Sequence, residues 1–262
     1  MKKYLFILLL FLGCETFDVV ADNPLDQNNP DYELPTVSIL DPQDGQTISS
    51  DKLDVYLQGN ENVSEYRYKI NSFDSFIDMK NTWSVWSSSN IVSLEFLNEY
   101  SYELTVQSRY PTERESNGAS IGFTVDAVKP GSLILYPKKI NSNIFTNFNI
   151  SLYSHDLPNI SALDIIIEFD TSYLEFRANE GSLEYGDVNV LRNSADGKLN
   201  YTIGKYGDNG FGDNELILTA VFWPKDVSGS TSFIKILSAT AKSLDGQTIE
   251  IVETSQTRVD VK

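Results

Sequence analysis

From Thr36 onward, apolar and polar side chains alternate with a period of two in short runs, and no run carries a helical period. Val37 and Ile39 alternate with polar neighbours and lead into the turn residues Asp41-Pro42-Gln43-Asp44-Gly45. Residues 53–57, 66–70 and 102–106 alternate in the same way, and residues 121–125 close the set. A second series follows at residues 133–135, 148–152, 163–169, 199–203, 215–223 and 233–242, with Asp196-Gly197 and Asp245-Gly246 as hairpin signals. The pattern predicts an all-β chain of two β-sandwich domains in tandem, residues 36–126 and 132–262. The Pro130-Gly131 break sits in a linker at 127–131, short enough to hold the two close together.

Ahead of the strands the chain reads differently. Lys2 and Lys3 precede a short apolar stretch, Tyr4 to Leu12, that is too short to span a bilayer and has the layout of a secretory signal peptide at 1–13. Phe11-Leu12-Gly13-Cys14 resembles the lipobox of bacterial lipoproteins. That resemblance implies acylation of Cys14, a lipidated tether over 14–35, and attachment to the cell envelope through lipid alone. Glu15 after the cysteine favours the outer membrane or cell surface. Proline breaks at Pro24, Pro30 and Pro35 leave the tether without an apolar face.

Composition narrows the chemistry. Twenty Lys and Arg against 37 Asp and Glu give a formal net charge of −17, which speaks against a nucleic-acid partner. One Cys excludes a disulfide framework or a cysteine-rich zinc site, and one His excludes a multi-histidine metal centre. Asp164 and Glu168 lie four residues apart on one predicted strand, roughly 13 Å, too far for a glycosidase pair. No nucleophile-and-base constellation stands out, so the chain reads as a non-enzyme with no catalytic residues.

Two further resemblances give the strands a meaning. Pro42-Gln43-Asp44-Gly45, Trp83-Ser84-Val85-Trp86, Tyr100-Ser101-Tyr102-Glu103-Leu104 and Phe123-Thr124-Val125-Asp126 make residues 36–126 similar to an immunoglobulin-like or fibronectin type III-like module. Residues 132–262 resemble a cohesin, the jelly-roll-like sandwich related to some carbohydrate-binding modules. The carriers are 148–152, 163–170 running into Tyr173-Leu174-Glu175-Phe176, Gly212 with 216–222, and Asp245-Gly246-Gln247-Thr248-Ile249. This resemblance implies docking of a protein partner. Cohesins bind dockerins, calcium-loaded modules carried by polysaccharide-degrading enzymes, so the cofactor expectation is none on this chain, with calcium on the partner.

The candidate site follows from alternation. Leu163, Ile165, Ile167 and Phe169 share one face of their strand and are assigned to the core, which leaves Asp164, Ile166 and Glu168 outside. Asn200 and Thr202 extend that outer face on the neighbouring predicted strand. Two carboxylates around an exposed Ile suit a partner rich in Lys, Arg or hydroxyls, while a plain solvated face gives the same alternation. The competing expectation is direct polysaccharide binding on Tyr66, Tyr68, Trp83 and Trp86. Trp83 and Trp86, three apart, should point to opposite faces of a strand, with at least one in the core. A row of exposed aromatics would favour sugar, and a flat acidic-aliphatic face would favour docking. A structural envelope component would show neither. The loop 208–215, with Asp208 and Asp213, is a weak calcium candidate and equally a glycine-rich turn. His155 reads as an exposed loop residue.

Overall fold

The computed structural model describes residues 23–73, 81–177, 187–207, 209–225 and 228–262; the leader, Cys14 and Asp208 lie outside the described residues. Within them all regular structure is β, and no helix is long and apolar enough to cross a membrane.

The first sandwich contains β1 (Val37–Asp41), β2 (Gln46–Ile48), β3 (Lys52–Gly59), β4 (Glu65–Ser72), β5 (Ile91–Glu95), β6 (Ser101–Arg109) and β7 (Ala119–Val125). A three-stranded sheet, β1-β3-β5, faces a four-stranded one, β2-β7-β6-β4. Alternation decides what goes inside. Leu53, Val55 and Leu57 of β3 are buried against Tyr102, Leu104 and Val106 of β6, while Asp54 and Glu103 face outward. Pro42 has no N–H to give to a ladder, and there the chain leaves β1 to run as β2 parallel to β7 in the other sheet.

The second sandwich opens in the same way. β8 (Ser132–Tyr136) pairs antiparallel with β10 (Phe148–His155), and after Pro137 the chain crosses over as β9 (Lys139–Ser142), parallel to β18 (Gln256–Val261). The remaining strands are β11 (Ile160–Phe169), β12 (Leu174–Phe176), β13 (Val188–Ala195), β14 (Lys198–Lys205), β15 (Leu216–Pro224), β16 (Thr231–Ser243) and β17 (Thr248–Ile249). A four-stranded sheet, β12-β15-β10-β8, packs on a seven-stranded one ordered β13-β14-β11-β16-β18-β9, with β17 paired to β16. Their shared core includes Leu152, Leu163, Ile165, Ile167, Ile203, Phe222 and Ile234.

The sandwiches touch directly. Glu99 accepts a hydrogen bond from the Ala127 N–H at 2.9 Å and pairs with Lys138 Nζ at 3.2 Å. Asn98 Oδ1 accepts the Lys138 N–H at 2.8 Å, and the Tyr100 and Tyr136 rings meet edge-on at 5.9 Å. Ahead of β1 the polar stretch is tied down as well: Tyr110 donates to the Glu33 carbonyl and Asn60 to the Leu34 carbonyl, each at 3.2 Å.

The strands expected from alternation are present, and both hairpin signals are hairpins. The alternating pattern did not reveal β5, β9, β13 or β18. β9 and β13 are sheet edges, β9 with a single apolar residue and β13 with none of its apolar residues fully buried, and β18 draws its side-chain alternation from only two valines. In the β13–β14 hairpin Asp196 and Gly197 both have positive φ, 52° and 74°, as a two-residue turn requires. A Cβ on Gly197 would lie 2.5 Å from the Phe169 carbonyl oxygen, whose own N–H bonds the Gly197 carbonyl at 2.8 Å. Gly197→Ala is therefore expected to lower the unfolding free energy by about 2 kcal/mol, measured by chemical denaturation.

Candidate functional site

The outer face of the large sheet is organised in three cross-strand rows. Leu191, Thr202, Asp164 and Thr240 lie opposite one another across β13, β14, β11 and β16. The next row is Asn193, Asn200, Ile166 and Ser238, and the third is Ala195, Lys198, Glu168 and Lys235, continued by Gln256 on β18. With strands about 4.8 Å apart and rows about 7 Å apart, these side chains cover a nearly flat patch. Asp164, Ile166, Glu168, Asn200 and Thr202 thus all stand on one face, on two adjacent strands. Leu163, Ile165, Ile167 and Phe169 are in the core beneath them.

Polar contacts within the face are short and paired. Thr202 Oγ1 donates to Asp164 Oδ1 at 2.6 Å, and Lys235 Nζ meets Glu168 Oε2 at 2.7 Å. The Lys235 hydrogen bond holds the Glu168 carboxyl below the usual carboxylate range against its slight desolvation, with the charges of Lys235 and Lys198 adding to the effect. Beneath the edge, burial pushes the Tyr201 phenol up to about 12 although Arg192 pulls the other way, so it stays neutral.

Alternation did not reveal Leu191 and Leu237. Leu191 is 74% exposed, on the edge strand β13. Leu237 is 47% exposed: it continues the outward side chains Phe233 and Lys235, and β16 bulges there, Ile166 facing Ser238 while Ile167 faces Ile236, so that Ser238 is turned outward as well.

The four aromatic candidates do not form one platform. Tyr66 and Tyr68 face inward and pack on the first core, whereas Trp83 and Trp86 lie on the opposite, outer side of β4. The expectation that the tryptophans point to opposite faces is corrected. Ser84 N–H bonds the Tyr68 carbonyl and Ser87 N–H the Tyr66 carbonyl, so three steps along this segment match two on β4. The extra residue returns both indoles to the same side, where neither belongs to the buried core. There they alternate with cations: Lys69 lies 5.2 Å and Arg67 4.7 Å from Trp83, while Arg67 lies 4.4 Å and Arg109 4.6 Å from Trp86.

His155 is also corrected. It ends β10, its side chain is mostly buried, and Nδ1 lies 3.0 Å from Asn214 Oδ1 on a loop distant in sequence. In that loop Asp213 accepts the Asp156 N–H, and Gly212 N–H and Lys205 Nζ both donate to Glu215 at 2.6 Å. The carboxylates of Asp213 and Glu215 are thus bound to the protein's own groups, and no group of three or more His, Cys, Asp or Glu side chains poised for a metal occurs among the described residues. Burial pushes Glu215 up, but the Lys205 hydrogen bond, the Gly212 N–H and the Lys205 charge outweigh it and hold the carboxyl low. A group with a lowered folded pKa stabilises the fold above its unfolded pKa and loses that contribution as pH falls through the folded value. Glu215→Gln is expected to reduce stability at neutral pH and to flatten the acid decline between about pH 5 and pH 3, followed by thermal unfolding across that range.

No family model matches the chain, and no curated protein matches it. Solved structures align with about half of it. A cohesin module from a Clostridium perfringens family 33 glycoside hydrolase is 14% identical, over 52% of this chain and 98% of that one, with a TM-score of 0.43. The sixth cohesin of Acetivibrio cellulolyticus scaffoldin B, solved in complex with a dockerin, is 16% identical over 51% and 100%, with a TM-score of 0.44. A non-cellulosomal cohesin from the archaeon Archaeoglobus fulgidus is 10% identical over 51% and 92%, with a TM-score of 0.43. At these scores no residue role or partner carries over from them.

Proposed function

We propose that the chain is a non-catalytic docking protein and that the outer face of its large sheet receives a protein partner. The observation that carries this reading is the set of aliphatic side chains staggered across that face, Leu191 and Leu237 exposed and Ile166 half-buried between them, bordered by Asp164, Glu168 and short hydroxyl and amide side chains. An apolar centre with a polar border is the anatomy of a protein interface, and strand-borne side chains lose little freedom on docking. Among the described residues the face has no row of aromatics, and the tryptophans of the first sandwich already stack on cations, which favours docking over sugar binding.

The finer reading rests on the resemblance of residues 132–262 to cohesins: the partner is a dockerin-bearing, polysaccharide-degrading enzyme that brings its own calcium. In the same reading the chain works at the cell envelope, on the outer membrane or cell surface, anchored by lipid on Cys14. The test is capture of secreted proteins of the source organism on the full chain, with and without calcium. A dockerin-bearing protein recovered only with calcium is the expected result. Asp164→Lys combined with Glu168→Lys, and separately Ile166→Glu, should each weaken its binding about tenfold or more. Capture of nothing, or binding indifferent to both variants, would overturn the reading.

A further inference from the structure

Alternation along β8 and β10 sends Leu133, Leu135 and Leu152 into the second core, so Ile134, Tyr136 and Tyr153 point the other way, off the outer side of the small sheet. That side is not open to water throughout. Ile134 is only 8% exposed, and there the end of the first sandwich and the sheet together enclose a cleft of about 480 Å³. The facing wall consists of Tyr100, the cross-strand pair Thr47 and Thr124 of β2 and β7, and Asp126 just past β7. A cleft of this size at a seam between domains is where small-molecule sites are commonly found.

Its lining has two kinds of surface. Tyr136 meets Tyr100 at 5.9 Å and Tyr153 at 6.1 Å, both edge to face, so rings from the two sandwiches form one cluster along the cleft. All three tyrosines are half-buried and keep part of their surface accessible. Beside them stand hydrogen-bonding groups that the fold does not use. Asp126 is exposed, and its carboxylate has no hydrogen bond or ion pair among the described residues; the same holds for the Thr47 hydroxyl. Lys138, the only lysine or arginine of the lining, is engaged by Glu99 at 3.2 Å. A cleft with a free carboxylate and no free cation repels an anion. Its walls are also set in advance: Asn98 Oδ1 takes the Lys138 N–H at 2.8 Å and Glu99 takes the Ala127 N–H at 2.9 Å, so little ordering is needed on binding.

We infer that this cleft is a binding site for a neutral saccharide. A sugar ring has apolar C–H faces and a rim of hydroxyls. Its faces lie on the tyrosine rings, whose flat apolar surface suits them, while its hydroxyls donate to Asp126 and exchange hydrogen bonds with Thr47. The site is on the opposite sheet from the docking face, is separate from Trp83 and Trp86, and does not rest on the docking reading.

The full chain carrying Cys14→Ser is titrated with cellobiose, xylobiose, mannobiose and maltose, with digalacturonate as an anionic control and butylammonium as a basic one, while backbone amide resonances are followed by NMR. Saturable shifts at Tyr136, Tyr153, Thr124 and Asp126 with at least one neutral disaccharide, and none with either control, are expected. Asp126→Ala, at an exposed position, should weaken that binding about fivefold with an unchanged melting temperature. Thr47→Trp, also at an exposed position, puts an indole into the cleft and should abolish binding. No saturable shift with any of the four sugars, binding of a control in their place, shifts confined to the surroundings of Trp83 and Trp86, or binding that survives both variants would overturn the site.

Discussion

Leu163, Ile165 and Ile167 of β11 are all but removed from solvent, and burying each contributes about 2–3 kcal/mol relative to exposure. Their alternation fixes the strand's register between β14 and β16. A slip of one residue would exchange the two faces, carrying Asp164 and Glu168 into the core at a cost of several kcal/mol per carboxylate. The outer face therefore has a single composition. Every row on it, from Leu191 to Thr240 and from Lys198 to Gln256, is placed by pairing to a strand whose inner side chains have nowhere else to go.

The parts legible in the sequence are those governed by local periodicity. Residues 163–169 and 199–203 announced both their strands and their outward side chains, and Asp196-Gly197 announced a turn whose dihedral angles tolerate little else. The illegible parts depend on insertion or on distance. Trp83 and Trp86 share a side because of one extra residue opposite β4, and Ser238 joins Leu237 outside because of one extra residue in β16; strict alternation cannot see either insertion. β13 is mostly exposed, so it lacks the buried apolar positions that mark a strand. His155 is sheltered by a partner, Asn214, that local sequence cannot supply.

The contact between the sandwiches is of the same long-range kind. Glu99 and Lys138 come from connections in different sandwiches and are largely enclosed, with side chains 19% and 8% exposed. Removing one partner of such a pair strands the other, at a cost of about 3 kcal/mol or more. The carboxylate of Glu99 also receives the Ala127 N–H, so the chain is gripped two residues past β7 and again at Lys138. A connection held at both ends leaves the large sheet in a defined orientation relative to the first sandwich. The tie of Glu33 and Leu34 to Tyr110 and Asn60 extends that order toward the N-terminus.

Charge is distributed unevenly between the whole protein and its face. The chain carries −17 overall, yet on the face Glu168 is balanced by Lys235 and Lys198, and Asp164 is engaged by the Thr202 hydroxyl. The long-range field of an acidic protein draws a basic partner from a distance, a contribution to encounter that salt screens. Once the surfaces meet, few unpaired charges at the centre of the patch have to be stripped of water, and the aliphatic side chains can make contact without that penalty. Long-range attraction and apolar contact would thus fall to different parts of the molecule, the first to its overall charge and the second to side chains that the register of β11 holds in place.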